Sequence, residues 1–287
     1  MKPFTPFSLT LRGRKHRFDR PLVMGILNAT PDSFYAGCRT TDDEAISARV
    51  SEIVEQGGDI IDIGAYSTRP GAADVDAAEE LARLRQAMSI VRRVAPQAIT
   101  SVDTFRASVA RAAVEELGVD IINDVSGGSL DDEMFATVAA LQVPYILMHM
   151  RGTPATMQSL TQYHDVTAEV VEHLSTRIAM LRDMGAGDII SDPGFGFSKT
   201  LEQNYEMLAG LEQFHSLGVP LLVGVSRKSM IYKLLGVTPH EALNGTTIIN
   251  TLALAAGAHI LRVHDVREAV EACKIVRLAA SSNNKTV

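Results

Sequence analysis

Eight apolar runs of strand length recur along the chain: VMGILN (23–28), DIIDIG (59–64), AITSVD (98–103), DIINDV (120–125), PYILMHM (144–150), DIISDP (188–193), PLLVGVS (220–226) and HILRVH (259–264). They are rich in β-branched and aliphatic residues and show no apolar–polar alternation, which is how strands covered on both faces read. Helix-length amphipathic stretches separate them, over roughly 41–56, 106–117, 131–140, 165–184, 200–214, 244–256 and 266–280. Another carries Leu81, Leu84, Met88 and Val91 at spacings of three and four, and a further helical pattern opens after Lys228. Gly57–Gly58, Gly118, Gly185 and Gly218 stand where several of these helices should stop. Eight strand–helix units without a linker predict a single (β/α)₈ TIM barrel. An open doubly wound sheet is the competing arrangement.

The length suits that prediction, since 287 residues accommodate one barrel of about 250. The hairpin pattern FSLTLRGRKHRF, turning at Arg12–Gly13, divides the chain into an N-terminal hairpin (1–20), the barrel (21–281) and a disordered tail (282–287). A formal net charge of -7 argues against general binding to nucleic acid or anionic membranes. Cys38 and Cys273 are too few and too far apart for a disulfide framework or a CxxC metal site. No run approaches the ~20 apolar residues of a membrane span, and the first residues lack the apolar core of a signal peptide. A cytoplasmic protein is expected.

In a barrel, the C-terminal strand ends share one face, where ligands bind. Here those ends carry Asn28, Ser67–Thr68–Arg69 beyond Gly64, Asp103, Asn123–Asp124, His149, Asp192, Ser226 to Ser229, and Arg262 with His264. Polar groups in such apolar runs are costly unless they meet a ligand or one another. Asp103, Asn123 and Asp192 suit a planar, nitrogen-rich heterocycle, because a carboxylate accepts two N–H bonds from a guanidine-like edge. Asn28, Arg69, Arg262 and His264 suit phosphates and a Mg²⁺ held partly by them. Lys228 could serve either group. The run PLLVGVSRKSM delivers two cations, Arg227 and Lys228, and two hydroxyls, as if to meet an anion. TPDSFYAGC (30–38) and YSTRPGA (66–72) have the composition of lids, and Phe195 and Phe197 in DPGFGFSKT could wall the mouth.

VMGILNATPDSF, STRPGA, SVDT, IINDV, LMHM, DPGFGF, SRKSM and RVHDV, in this order, resemble the dihydropteroate synthase family from about Pro21 to Leu278. The resemblance implies condensation of 6-hydroxymethyl-7,8-dihydropterin diphosphate with p-aminobenzoate to 7,8-dihydropteroate and diphosphate, with sulfonamides as inhibitors and a homodimer as the assembly. Matched position by position, Asp103, Asn123, Met148, Asp192 and Lys228 would hold the pterin. Asn28, Arg69, Arg262 and His264 would hold diphosphate, with Asn28 also on Mg²⁺. Thr68, Pro70, Phe197 and Ser229 would hold p-aminobenzoate, whose carboxylate would lie near a helix N-terminus. Asp32, Arg69, Lys228, Arg262 and His264 would serve catalysis. The family's reaction is dissociative, with a pterin cation as intermediate.

Two positions depart from the family pattern. The first loop reads Ser33-Phe34-Tyr35-Ala36-Gly37-Cys38 where an acidic residue is usual at 36, and Tyr66 replaces a glutamate before STRPG. Asp32 and Arg69 remain, so activity is expected to survive. A methyltetrahydrofolate-binding methyltransferase domain is the alternative enzyme, and a non-catalytic pterin-binding protein the alternative outside catalysis. The first has no need of Arg262, His264 or SRKS.

Overall fold

In the computed structural model, which describes residues 4–29, 39–66 and 75–282, β1 (Phe7–Leu11) and β2 (Arg14–Phe18) form the expected antiparallel hairpin. Arg12 and Gly13 both adopt positive φ, 51° and 72°. That turn matches the twist of the two strands.

Eight parallel strands follow: β3 (Leu22–Asn28), β4 (Ile60–Gly64), β5 (Ile99–Asp103), β6 (Ile121–Asp124), β7 (Tyr145–Met148), β8 (Ile189–Asp192), β9 (Leu222–Val223) and β10 (Ile260–Val263). They lie in the order β8-β7-β6-β5-β4-β3-β10-β9. A parallel bridge between Ser191 and Leu221 joins the two ends, and Ser191 N donates to Pro220 O at 2.8 Å there. The sheet closes on itself, so the barrel replaces the open-sheet alternative.

Helices α1 (Arg39–Glu55), α2 (Ala77–Val94), α3 (Ala107–Glu115), α4 (Met134–Leu141), α5 (Val166–Asp183), α6 (Leu201–Ala209), α7 (Ser229–Leu235), α8 (Leu243–Ala255) and α9 (Val266–Ser282) cover the outside. Side-chain caps start several of them: Asp76 accepts from Glu79 N and Asp165 from Ala168 N. The helix expected over 200–214 divides at Gly210, where α6 gives way to a 3₁₀ turn over Leu211–Leu217. α4 begins later than expected, after a turn in which Asp131 accepts from Glu133 N at 3.0 Å while its other oxygen accepts from Ala107 N of α3 at 2.7 Å. Gly57, Gly118, Gly185 and Gly218 all adopt positive φ, as chain reversals after helices require. Ser282 is helical, so the expected tail began one residue too early; the rest of it lies outside the described residues. Among the described residues no helix is long and apolar enough to cross a membrane.

The two faces of the sheet bury different things. Val23, Leu27, Ile61, Ile63, Val102, Ile122, Leu147, Val223 and Leu261 pack outward under the helices. Leu22, Met24, Ile60, Ile121, Ile146, Ile190, Leu222 and Ile260 fill the interior, and Phe7, Leu9 and Leu11 of the hairpin join them. The hairpin therefore plugs the N-terminal end of the barrel. Arg12 fastens it there through Asp120, with Nε–Oδ1 2.8 Å. Each buried Leu or Ile in this plug is worth roughly 1.5–3 kcal/mol, which fixes the floor on which the functional layer rests.

Candidate active site

Side chains alternate along a strand, so two residues beyond an interior position the chain faces inward again, one layer higher. Stepping by two from Ile60, Ile121, Ile146, Ile190, Leu222 and Ile260 gives Asp62, Asn123, Met148, Asp192, Gly224 and Arg262. Ile99 leads by the same step to Ser101 and then Asp103. The apolar plug is thus overlaid by a polar layer at the C-terminal mouth. Gly224 contributes no side chain to that layer; a Cβ there would touch Arg262 and Asp192 at ordinary contact distance, 3.7 and 4.0 Å.

Four side chains of the polar layer form one hydrogen-bonded network, with Asp192 and Lys228 beside it. Arg262 Nε donates to Asp62 Oδ2 at 2.6 Å, and its Nη2 to Asp103 Oδ2 at 2.8 Å. Asn123 Nδ2 donates to Asp62 Oδ2 at 3.2 Å, which leaves the amide oxygen of Asn123 to accept. Asp192 Oδ1 accepts from Gly194 N at 2.8 Å. The Lys228 ammonium donates to Phe195 O at 2.6 Å and stands 4.7 Å from the centre of the Phe197 ring. With those bonds made, Asn123 Oδ1, Asp192 Oδ2 and Asp103 Oδ1 are the oxygens placed to accept from a ligand. Three acceptors and one ammonium suit a flat ring rich in N–H donors.

The charges perturb one another. Burial raises the Asp103 carboxyl from 3.8 to about 7, against the pull of Arg262 and with the added repulsion of Asp62. Burial also raises Asp192, with Lys228 opposing. Burial lowers the Lys228 amine from 10.5 to about 8. For Arg262 burial works against the charge, but Asp62 and Asp103 outweigh it and hold the proton more firmly than usual.

The expected diphosphate group divides. Asn28 ends β3 opposite Gly64 of β4. Arg262, expected to hold diphosphate, is tied through Nε and Nη2 to two carboxylates of the heterocycle floor. His264, expected to hold diphosphate, would do so without a charge of its own: burial and then Arg262 lower its imidazole to about 4. Ser226 Oγ accepts from His264 N and lies 3.1 Å from His264 Nδ1. The arrangement that satisfies both atoms has the hydroxyl donating to Nδ1 and the imidazole proton on Nε2. His264 therefore offers a hydrogen bond rather than a charge.

Other residues fall around this centre. Met148 packs with Val125, Met150, Met157 and Phe197 in a small apolar cluster beside the floor. Ser229 is the first residue of α7. Arg227, expected with Lys228 as one of a pair of cations for an anion, is turned away. Its Nε and Nη2 bind Asp265 at 2.9 and 2.7 Å and its Nη1 binds His240 O at 2.8 Å, so it clamps α9 to the turn before α8. Asp32, Thr68, Arg69 and Pro70, with Ala36, lie outside the described residues. Tyr66 stands edge-on to Phe105, ring centres 5.1 Å apart, with the Arg106 guanidinium 5.2 Å from its centre. Sequence reasoning missed Asp62, which organises the floor. The available signal was a carboxylate in the middle of the apolar run IIDIG, which the fold buries fully.

Among the described residues no three His, Cys, Asp or Glu side chains gather as a metal cage. Among the described residues, the oxygen donor expected for the metal is the amide of Asn28 at the end of β3. That set suits Mg²⁺, which takes one or two protein oxygens and completes its shell with water and substrate phosphate, and does not suit a zinc site.

Fold and floor together define a barrel enzyme that binds an N–H-rich heterocycle at the C-terminal mouth. The family model for pterin binding enzymes matches residues 24–264. Dihydropteroate synthase of Escherichia coli is 42% identical over 285 residues, covering 96% of this chain and 99% of its own. The structure of Xanthomonas albilineans dihydropteroate synthase with 4-aminobenzoic acid superposes with a TM-score of 0.85 at 40% identity, covering 99% of this chain and 100% of that one. The Yersinia pestis dihydropteroate synthase in a sulfonamide drug complex gives 0.85 at 37% identity, covering 96% and 100%. The chain belongs to the pterin-binding enzyme family, on its dihydropteroate synthase branch.

Proposed function

We infer that this protein joins 6-hydroxymethyl-7,8-dihydropterin diphosphate to p-aminobenzoate, forming 7,8-dihydropteroate and diphosphate. The observation that carries the reading is the convergence of Asp103, Asn123, Asp192 and Lys228 on one floor in a chain whose full-length relatives are dihydropteroate synthases. The three acceptors take the N–H edge of the pterin, Lys228 donates to the opposite edge, and Met148 lies against the ring. Phe197 and Ser229, with Thr68 and Pro70, form the p-aminobenzoate subsite. A sulfonamide that mimics p-aminobenzoate competes there.

The reaction proceeds by loss of the leaving group first. The bond between the exocyclic methylene carbon and the diphosphate oxygen breaks, its electron pair leaves with diphosphate, and the pterin carries the cation. The amine nitrogen of p-aminobenzoate then forms the new C–N bond and releases a proton to solvent. Asp103 and Asp192 stabilise the cation from the floor. Arg262, His264 and Arg69 hold the departing diphosphate, and Asp32 acts from the first loop. Mg²⁺, held by Asn28 and the diphosphate, would neutralise part of the leaving group's charge.

The active form is proposed to be a homodimer working in the cytoplasm, where a multiply charged diphosphate ester made inside the cell is retained. The dimer reading is supported by exposed apolar residues on the adjoining helices α7, α8 and α9, among them Leu234, Ile248, Leu252 and Ile275.

The deciding experiment is diphosphate release by the purified protein with the pterin diphosphate and Mg²⁺, with and without p-aminobenzoate. Release coupled to dihydropteroate formation, and lost in Lys228→Ala, is the expected result. Release without product would mean that water intercepts the cation. Tight pterin binding without release would leave a non-catalytic pterin-binding protein.

A further inference from the structure

The loop after β8 is built around a second buried lysine that the reaction itself does not use. Lys199 is 4% exposed. Its Nζ lies 3.0 Å from Gly194 O, 3.0 Å from Phe197 O and 3.1 Å from His149 Nδ1. An ammonium has three protons, and here each has an acceptor. Burial lowers this amine to about 7, with Asp192 opposing and Lys228 adding to the shift. A cation kept in such a place is costly, and what it holds is informative.

The carbonyls of the loop are divided between two lysines. Those of Gly194 and Phe197 turn inward to Lys199, while that of Phe195, between them, turns to Lys228 at 2.6 Å. Alternation this tight requires an unusual backbone. Gly194, Gly196 and Ser198 adopt φ of 69°, 81° and 53°. Ser198 is the informative one, because a residue with a Cβ enters the left-handed region only when its surroundings hold it there. Its hydroxyl bonds both the N–H and the carbonyl of Arg151, at 2.9 Å each. A side chain on Gly196 would place its Cβ 3.2 Å from the Lys228 Cδ, so the loop also sets the path of the Lys228 stem.

We propose that Lys199 is a positioning residue for Lys228: by fixing the carbonyls of Gly194 and Phe197 it presents the Phe195 carbonyl and the Phe197 ring that aim the Lys228 ammonium at the pterin. The proposal rests on the pterin site inferred above. It also gives the strand-end His149 a role, as the neutral acceptor that completes the lysine's shell. Burial, with Lys199 next, keeps that imidazole uncharged.

The test is a double-mutant cycle read as affinity for the pterin diphosphate by titration calorimetry, with Lys199→Met, Lys228→Met and the double variant. Losing a well-placed hydrogen bond from a charged group is worth roughly tenfold to a hundredfold in affinity. Lys199→Met is expected to weaken binding by about that factor in the wild-type background and by less than about threefold beside Lys228→Met, because interacting sites are not additive. Equal losses in both backgrounds, or wild-type affinity in Lys199→Met, would overturn the proposal. If Lys199→Met does not fold, Lys199→Gln, which keeps an amide donor, carries the same cycle. Failure of both to fold would assign the lysine to stability alone and also overturn it. Wild-type protein that binds no pterin diphosphate would instead sink the functional reading on which the cycle depends.

Discussion

Arg262 Nε donates to Asp62 Oδ2 at 2.6 Å, and the same carboxylate receives the Asn123 amide at 3.2 Å. Asp62 is fully buried beneath the mouth, so it orients two ligand-facing side chains without facing the ligand itself. Asp62→Asn removes the charge from under Arg262 and leaves one neutral oxygen to be shared by Arg262 and the Asn123 amide. Leaving such groups poorly paired is worth about 1–3 kcal/mol. Urea denaturation should show a loss of that order, and calorimetry should show pterin affinity reduced by about tenfold or more. Unchanged affinity in a folded variant would mean that Asn123 and Arg262 hold their places without Asp62.

Asp103 makes stability depend on pH in a direction opposite to that of an ordinary paired carboxylate. Its folded pKa lies near 7 against 3.8 when free, so the folded state binds the proton more tightly. The stability it contributes is full below about pH 3.8 and is lost as pH rises through 7. Asp103→Asn cannot titrate, and its stability relative to wild type should improve steadily between pH 4 and pH 7. Parallel curves for the two proteins across that window would rule out the raised value.

Much of the architecture is legible in the amino-acid sequence. The eight apolar runs mark strands of the right order and sense, and the glycines after the helices mark chain reversals that do occur. What the runs conceal is that their two buried faces differ. A strand such as DIIDIG looks uniformly apolar apart from its aspartates, yet Ile61 and Ile63 face helices while Ile60 and Asp62 face the barrel axis. Once the phase of one strand is known, the layers follow by counting in twos. Without it, Asp62 is only a polar residue in a strand. Arg227 misleads for a different reason: a cation beside Lys228 in sequence points to the opposite side, and its partner Asp265 is 38 residues away. Charge pairs made by folding are not visible in spacing.

Lys228 should set the basic limb of the pH profile. Burial lowers its amine to about 8, so above that pH the ammonium that donates to Phe195 O and to the pterin is lost. The kcat/KM for the pterin diphosphate, which reports the free enzyme, should fall above about pH 8. Lys228→Arg keeps a charge at every working pH, so its residual activity should lack that limb even if lower throughout. Stability runs the other way. With a folded value below the ordinary 10.5, the contribution of this lysine is present at high pH and lost as pH falls through 8. A basic limb that persists unchanged in Lys228→Arg would assign it to another group.

The exposed apolar residues of α7, α8 and α9 predict the assembly. Ile248 and Leu252 stand one turn apart on α8, about half exposed, and α8 packs between its two neighbours in sequence. In a two-fold interface each position is buried twice. Burying a fully exposed Ile or Leu is worth about 1.5–3 kcal/mol; with half of each side chain already covered, the two residues together contribute roughly 3–6 kcal/mol to a dimer before the costs of association are met. Replacing both by Glu (Ile248→Glu, Leu252→Glu) should therefore convert a dimer to a monomer in sedimentation velocity at micromolar concentration. The fold should be unaffected, because neither side chain is part of the buried core. Because neither residue belongs to the polar floor, pterin affinity should stay within about threefold of wild type, a change of less than 1 kcal/mol. A wild-type protein that sediments as a monomer, or a double variant that remains dimeric, would remove this face from the interface.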